Sequence, residues 1–314
     1  MAASYKKSSR RIGVEIEYNS ADMINRSRGE NDLPVGIYEI ANHVKNAIKK
    51  TVDVTKWQYT HNNHNWAVKP DSSCGLEVCS PPLITRAALR EINSVVNYLS
   101  SQKNTSADYR CSLHVHVEIA DFTESQIVLL LKKWISAELF FYLLVNPTRW
   151  INQYCMPIGF SCEFDTEQNY FYSNLLLKLS ESKYYSANLY HYGKNKKKTI
   201  EFRLMGNEAC LSSDDAENWC KILVCFVDRV SKFAGADRVN LNYDSFENIL
   251  DLLSPETFFD DNSVILWMIE KISNAIDNVD FEVYNQSKFF WQNLLTSKRE
   301  EIQELIARLE SYLK

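Results

Sequence analysis

Four stretches of the chain place acids, histidines or arginine at alternate positions. They are Gly13-Val14-Glu15-Ile16-Glu17, Gly75-Leu76-Glu77-Val78-Cys79, His114-Val115-His116-Val117-Glu118 and Thr199-Ile200-Glu201-Phe202-Arg203. A period of two is the side-chain alternation of a β-strand, so each stretch has an apolar face and a chemically equipped one. Same-face neighbours on a strand lie roughly 6.5 Å apart, close enough to share a ligand. Singly, each pattern has an ordinary structural meaning: a polar strand face, a cross-strand ion pair, or histidines hydrogen-bonded in a pocket. Together they suggest several faces lining one cavity. Ionised carboxylates gathered there would repel one another and lose hydration unless a cation balanced them. Oxygen donors in the majority, one or two imidazoles and no paired thiolates suit Mg²⁺ or Mn²⁺ better than a structural zinc. The planar fork of Arg203 matches a phosphate or a carboxylate. Metal ions plus arginine in a carboxylate cavity point to a nucleoside triphosphate and phosphoryl transfer.

The elements that must carry these residues follow from the remaining pattern. Strands are predicted at 11–19, 56–61, 65–70, 73–80, 111–119, 187–192 and 198–205. Helices are predicted from Pro34 to about Lys50 and from Thr85 to Ser101. A third runs from Thr123, as N-cap with Gln126 in the capping-box position, to Asn146. Residues 147–165 read as irregular and aromatic, and helix resumes at 166–181, 212–234, 244–253, 256–276 and 286–314. This predicts an α+β fold: a curved, antiparallel-rich sheet of about six strands. Helices would cover its apolar face and its polar face would line a cavity. No interdomain linker interrupts the chain. Residues 1–10 form a basic tail, 11–206 the sheet with its helices, and 207–314 a helical region packed on the same domain.

Composition narrows the class. The 314 residues are 45% hydrophobic and 24% charged, as in a globular protein with a substantial core. A formal net charge of −5 argues against nonspecific binding to nucleic acid or a membrane surface. The eight cysteines show no CxxC pair or disulfide framework, and the first residues lack an apolar signal segment. The longest apolar stretch, Gln126 to Val145, is broken by Lys132, Lys133 and Glu138. These features predict an intracellular, cytoplasmic protein with free thiols.

Further residues accompany the four stretches: Trp66-Ala67-Val68 ahead of Asp71 and Ser72, Ser80-Pro81-Pro82, Arg149 with Asn152, Tyr154 and Cys155, and Tyr184 with Asn188-Leu189. In this order they resemble the amidoligase family, part of the carboxylate–amine ligase superfamily of glutamine synthetase and γ-glutamylcysteine ligase. The resemblance covers about residues 11–206. It implies a half-funnel sheet like the catalytic domain of glutamine synthetase. It also implies a reaction: ATP phosphorylates a carboxylate, such as a glutamate or peptide carboxyl, and an amine displaces phosphate from the acyl phosphate. Position by position, Glu15, Glu17, Glu77, His114 and Glu201 would hold two or more Mg²⁺ or Mn²⁺ ions, with Glu15, Glu201 and Arg203 in catalytic roles. His116 would contact nucleotide or substrate, Arg203 the transferring phosphoryl group, and Arg149 a second anion. Tyr184 and Asn188 would edge the substrate site. Ser112 stands where the family usually has glycine, and its side chain would narrow the substrate site or donate a hydrogen bond there. Glu118 lies outside the motif and is expected to be salt-bridged or solvent-facing. The implied partners are small-molecule or peptide carboxylates and amines, with no nucleic acid and no membrane. Three other readings compete: a metal-dependent hydrolase built on His114 and His116, a guanidine kinase, and a non-catalytic nucleotide-binding relative. The hydrolase lacks an Asp-His continuation and a third histidine on a later strand.

Overall fold

A computed structural model describes residues 8–20, 33, 36–55, 64–103, 105–150, 152–161, 176–194, 197–232, 246–255, 259, 262–277 and 286–314. The chain divides into two compact units. The sheet unit comprises Ser8–Val117 and Met205–Cys220, and the helical unit includes Glu118–Leu204 and Lys221–Lys314.

The sheet unit contains β1 (Arg11–Ser20), β2 (Val52–Val54), β3 (Trp66–Asp71), β4 (Gly75–Cys79), β5 (Leu83–Ile84), β6 (Thr105–Ser106) and β7 (Leu113–Glu118, whose last residue falls in the other unit). Its strands run in the order β2-β3-β4-β1-β7, with β5 and β6 pairing the two ends of β1. Alternation explains why β1 sits in the middle. Ile12, Val14, Ile16 and Tyr18 are at most 1% exposed and face the core. Helices α1 (Gly36–Ile48) and α2 (Thr85–Ser100) cover that core through Ile37, Ile40, Ala41 and Val44, and through Ala88, Leu89, Ile92, Val95, Val96 and Leu99. These positions recur every three or four residues, as a single buried stripe requires. Helix α1 packs on β2, β3 and α2, and α2 packs on β1 and β5.

Two local devices set the register. Ser80 stands beside β1, donating its N–H to the Val14 carbonyl at 2.9 Å and accepting the Val14 N–H on Oγ at 2.8 Å. Pro81 and Pro82 follow without N–H groups, so this serine supplies the bonds to β1 between β4 and β5. In the β3–β4 turn Asp71 Oδ1 accepts the N–H groups of Ser73 at 2.7 Å and Cys74 at 3.2 Å. Gly75 completes the turn at a φ of 122°, a conformation that a side chain would strain.

The helical unit is organised on α3 (Glu124–Leu143). Thr123 and Gln126 form the expected capping box at its start. Trp134 on α3 stacks on Phe141 with centroids 4.1 Å apart and lies against Phe202 and Phe226. A short hairpin of β8 (Ala187–Asn188) and β9 (Thr199–Phe202) carries Phe202 into this aromatic cluster. Further helices span Glu247–Leu253, Ser263–Asp277, Gln286–Ser297 and Arg299–Ser311.

The chain is thus α+β with mostly antiparallel pairing, as predicted, and several details differ. The β2–β3 pair is parallel, and β2, β5 and β6 were not anticipated because two or three residues carry no periodicity. The strand expected at 187–192 is only Ala187–Asn188; Tyr190–Lys194 is a helical turn, its alternating aromatics notwithstanding. The predicted helix at 286–314 is two helices meeting at Lys298; of the one at 256–276, Ser263–Asp277 is helical and 256–258 and 260–261 lie outside the described residues. The predicted strand at 56–61, the start of the helix at Pro34 and most of the helix at 166–181 lie outside the described residues. The seven described cysteines are buried free thiols. Among the described residues no helix is long and apolar enough to cross a membrane.

Candidate active site

The face of the sheet opposite the core gathers the acids. Register sets Glu15 across from Cys79 on one side and His114 on the other, Glu17 across from Glu77, Gly13 across from His116, and Lys69 across from Glu77. Directly opposed side chains on adjacent strands start roughly 5 Å apart, so these groups must interact. Glu17, Glu77, His114 and His116 are buried, with exposures of 8% or less.

The contacts form two connected sets. In the first, His114 Nδ1 lies 3.3 Å from Glu15 Oε2 and His116 Nε2 lies 3.2 Å from Glu15 Oε1. His114 Nε2 is 2.7 Å from Ser112 Oγ, which in turn donates to Glu17 Oε2 at 2.6 Å. In the second, Lys69 Nζ is 2.9 Å from Glu77 Oε1, which also accepts the Cys79 thiol at 3.0 Å. Glu17 further approaches Asp71 and Cys74, with ligating atoms within 4.8 Å of one another. Asp71, however, is committed to the turn described above.

Electrostatics divides Glu15 from Glu77. Burial works against ionised Glu15, yet the charge of His116 and hydrogen bonds from both histidines hold its carboxyl well below the usual range. Burial and the neighbouring charge of Glu15 push Glu77 up to about 8, against the pull of Lys69. Burial would lower Lys69, but Glu77, Cys79 and Glu15 raise it above its ordinary value, so it stays an ammonium. Carboxylates crowded on one buried face gain from a balancing cation. Three carboxylates and an imidazole on one buried face therefore fit a divalent ion that prefers oxygen.

The helical unit presents Glu201 and Arg203 at the end of β9. Arg203 Nη1 donates to Glu201 Oε1 at 2.7 Å, and His191 Nε2 lies 3.6 Å from Glu201 Oε2. The Arg203 backbone N–H donates to the Ser186 carbonyl at 2.9 Å, and its Nε donates to the Tyr154 carbonyl at 3.2 Å. Behind this pair lies buried Glu138 of α3. It accepts the N–H groups of Ile158 and Gly159, each at 2.8 Å, and the hydroxyl of Ser186. Burial raises this carboxyl to about 7 despite those donors.

Two expected site residues make bonds to the backbone. Arg149 is 3% exposed and donates Nε to the Leu204 carbonyl at 3.0 Å and Nη2 to the Arg203 carbonyl at 2.8 Å. Asn188 is buried and ties the Lys183 carbonyl at 3.2 Å to the Tyr190 N–H at 3.0 Å, so it clamps a loop. Tyr184 is exposed and meets Tyr154 edge-on at 5.6 Å. Ser112 turns toward Glu17 and His114, and Glu118 is half-buried. Sequence reasoning missed Lys69, His191 and Glu138. Lys69 had a usable signal, since it alternates with Ala67 and Asp71 on the Glu77 side of the sheet. His191 and Glu138 had none, being single polar residues in aromatic or apolar surroundings.

No curated protein matches the chain. Among solved structures it is similar to the crystal structure of a bifunctional glutathione synthetase from Pasteurella multocida, at 13% identity and a TM-score of 0.43. That match covers 98% of this chain and 52% of the other, so the chain spans about half the length of that protein. The profile of the family described as "Putative amidoligase enzyme" matches residues 8–225, a span that holds every acid, histidine and arginine discussed above. By that match, over more than half of its length, the chain belongs to the amidoligase family.

Proposed function

We propose that the protein is an ATP-dependent carboxylate–amine ligase working through an acyl phosphate. The observation that carries this reading is the sheet face that Glu15, Glu17, Glu77 and His114 share. Those residues would hold Mg²⁺ or Mn²⁺, which when bound screens the phosphate charges and polarises the γ-phosphoryl group. The substrate carboxylate attacks the γ-phosphorus, the bond to the ADP oxygen breaks, and an amine then displaces phosphate from the carbonyl with loss of one proton. Arg203 supplies positive charge to the phosphoryl oxygens, its guanidinium held by Glu201 and the Tyr154 carbonyl. His116, anchored by Glu15, would contact nucleotide or substrate, and Tyr184 with Tyr154 would form an aromatic edge for the substrate. Lys69 keeps Glu77 oriented.

The test is ADP release from amino acids and amines in the presence of Mg²⁺, with products read by mass spectrometry. Turnover should require ATP, metal, carboxylate and amine together. Glu15→Ala and Arg203→Ala should each lower it by about 10²-fold or more, as for loss of one charge-stabilising group. Unchanged turnover in both variants, or product formation without ATP, would overturn the reading.

A further inference from the structure

The hydrogen bonds around Ser112 carry a consequence for His114. Ser112, Glu17 and His114 are all buried, and one hydroxyl stands 2.6 Å from Glu17 Oε2 and 2.7 Å from His114 Nε2. A hydroxyl has one proton to give, and the Glu17 oxygen facing it is the acceptor. The Ser112 proton therefore goes to Glu17. The contact with His114 is then a bond in the other direction, with Nε2–H donating to Oγ. The remaining ring nitrogen, Nδ1, faces Glu15 Oε2 at 3.3 Å. Without a cation a proton on Nδ1 makes that contact, and a cation bound between Nδ1 and Glu15 would take the proton's place.

We propose that Ser112 is a positioning residue that fixes the tautomer of His114, so that Nδ1 is the atom offered to the cation and Nε2–H is tied back through Ser112 to Glu17. This rests on the reading of the sheet face as a cation site. The relay couples two ligands: turning the imidazole or swinging Glu17 breaks the same hydroxyl's bonds. Metal-bound imidazoles are generally oriented by a hydrogen bond at their other nitrogen. A glycine, usual here in the family that the sequence resembles, supplies no hydroxyl. The same geometry argues against Ser112 as a nucleophile. A nucleophilic serine gives its proton to the imidazole, whereas this one points it at a carboxylate while its oxygen accepts the imidazole N–H.

The experiment uses the full chain and the variants Ser112→Ala, Ser112→Gly and Ser112→Thr. Long-range ¹H–¹⁵N spectra report the His114 tautomer, assigned by its absence in His114→Gln, and Mn²⁺ titration followed by electron paramagnetic resonance reports affinity. The expected result is Nε2–H in the parent protein and Mn²⁺ binding weakened about 10- to 100-fold in the Ala and Gly variants. Threonine, which keeps the hydroxyl, should recover most of the affinity. Circular dichroism melting should be near parental throughout. A His114 ring without a proton on Nε2 in the parent, or equal Mn²⁺ affinity in Ser112→Ala, would overturn the relay while leaving the cation site standing. Failure of the parent to bind Mn²⁺ at all would remove the cation site and the proposal with it.

Discussion

Glu138 offers a test worked from the structure in a place far from the carboxylate face in sequence. Its carboxyl is buried on α3, where three donors favour the ionised form and desolvation favours the neutral one. Desolvation wins, moving the group from an ordinary 4.5 to about 7. A folded-state value above the unfolded one means that the group contributes most to stability below the unfolded value, and that this contribution is lost as pH rises through about 7. Two and a half units at about 1.4 kcal/mol each amount to about 3 kcal/mol of stability lost between pH 4.5 and 7.5. Glu138→Gln removes the titration but sets an amide N–H against one of the donors from Ile158, Gly159 or Ser186, at a cost of about 1–3 kcal/mol. Urea unfolding at half-unit pH steps should show the parental stability falling relative to the glutamine variant by about 3 kcal/mol over this range. Subtracting the two curves cancels the histidines and the other acids. Parallel curves would show that Glu138 does not change protonation on folding, and would refute the balance argued here.

Three other outcomes follow from the sheet unit. Lys69→Met leaves the buried Glu77 carboxyl without its partner at 2.9 Å and should cost about 1–3 kcal/mol, as for a buried polar group left without its hydrogen bond. Because Glu77 sits at about 8 with Lys69 present, metal-free protein should lose stability as pH rises through 8, and Mg²⁺ should flatten that loss; a thermal melt unmoved by pH or Mg²⁺ would count against the site. Gly75→Ala should cost about 1–3 kcal/mol by forcing a side chain onto a φ of 122°, measured as a lower denaturant midpoint with unchanged slope.

What the sequence determined by itself is the set of faces. Alternation is a local property of extended backbone, so Glu15 and Glu17 had to share a side of β1, as did His114 and His116 on β7, with apolar partners turned to the core. The capping box of α3 and the Ser80-Pro81-Pro82 stop were legible for the same reason, since each acts within a few residues. Only the tertiary structure decided which neighbours those faces met. Arg149 and Arg203 look equally suited to an anion, yet Arg149 is buried against two carbonyls whereas Arg203 pairs with Glu201, because packing settles which backbone groups need a donor. Tyr190–Lys194 alternates like a strand and folds as a helical turn, because Asn188 caps it from outside the pattern. Ser112 shows the division most clearly. One side chain at a family glycine could be read as added bulk, and only register, by bringing Glu17 and His114 to the same hydroxyl, turns it into a relay.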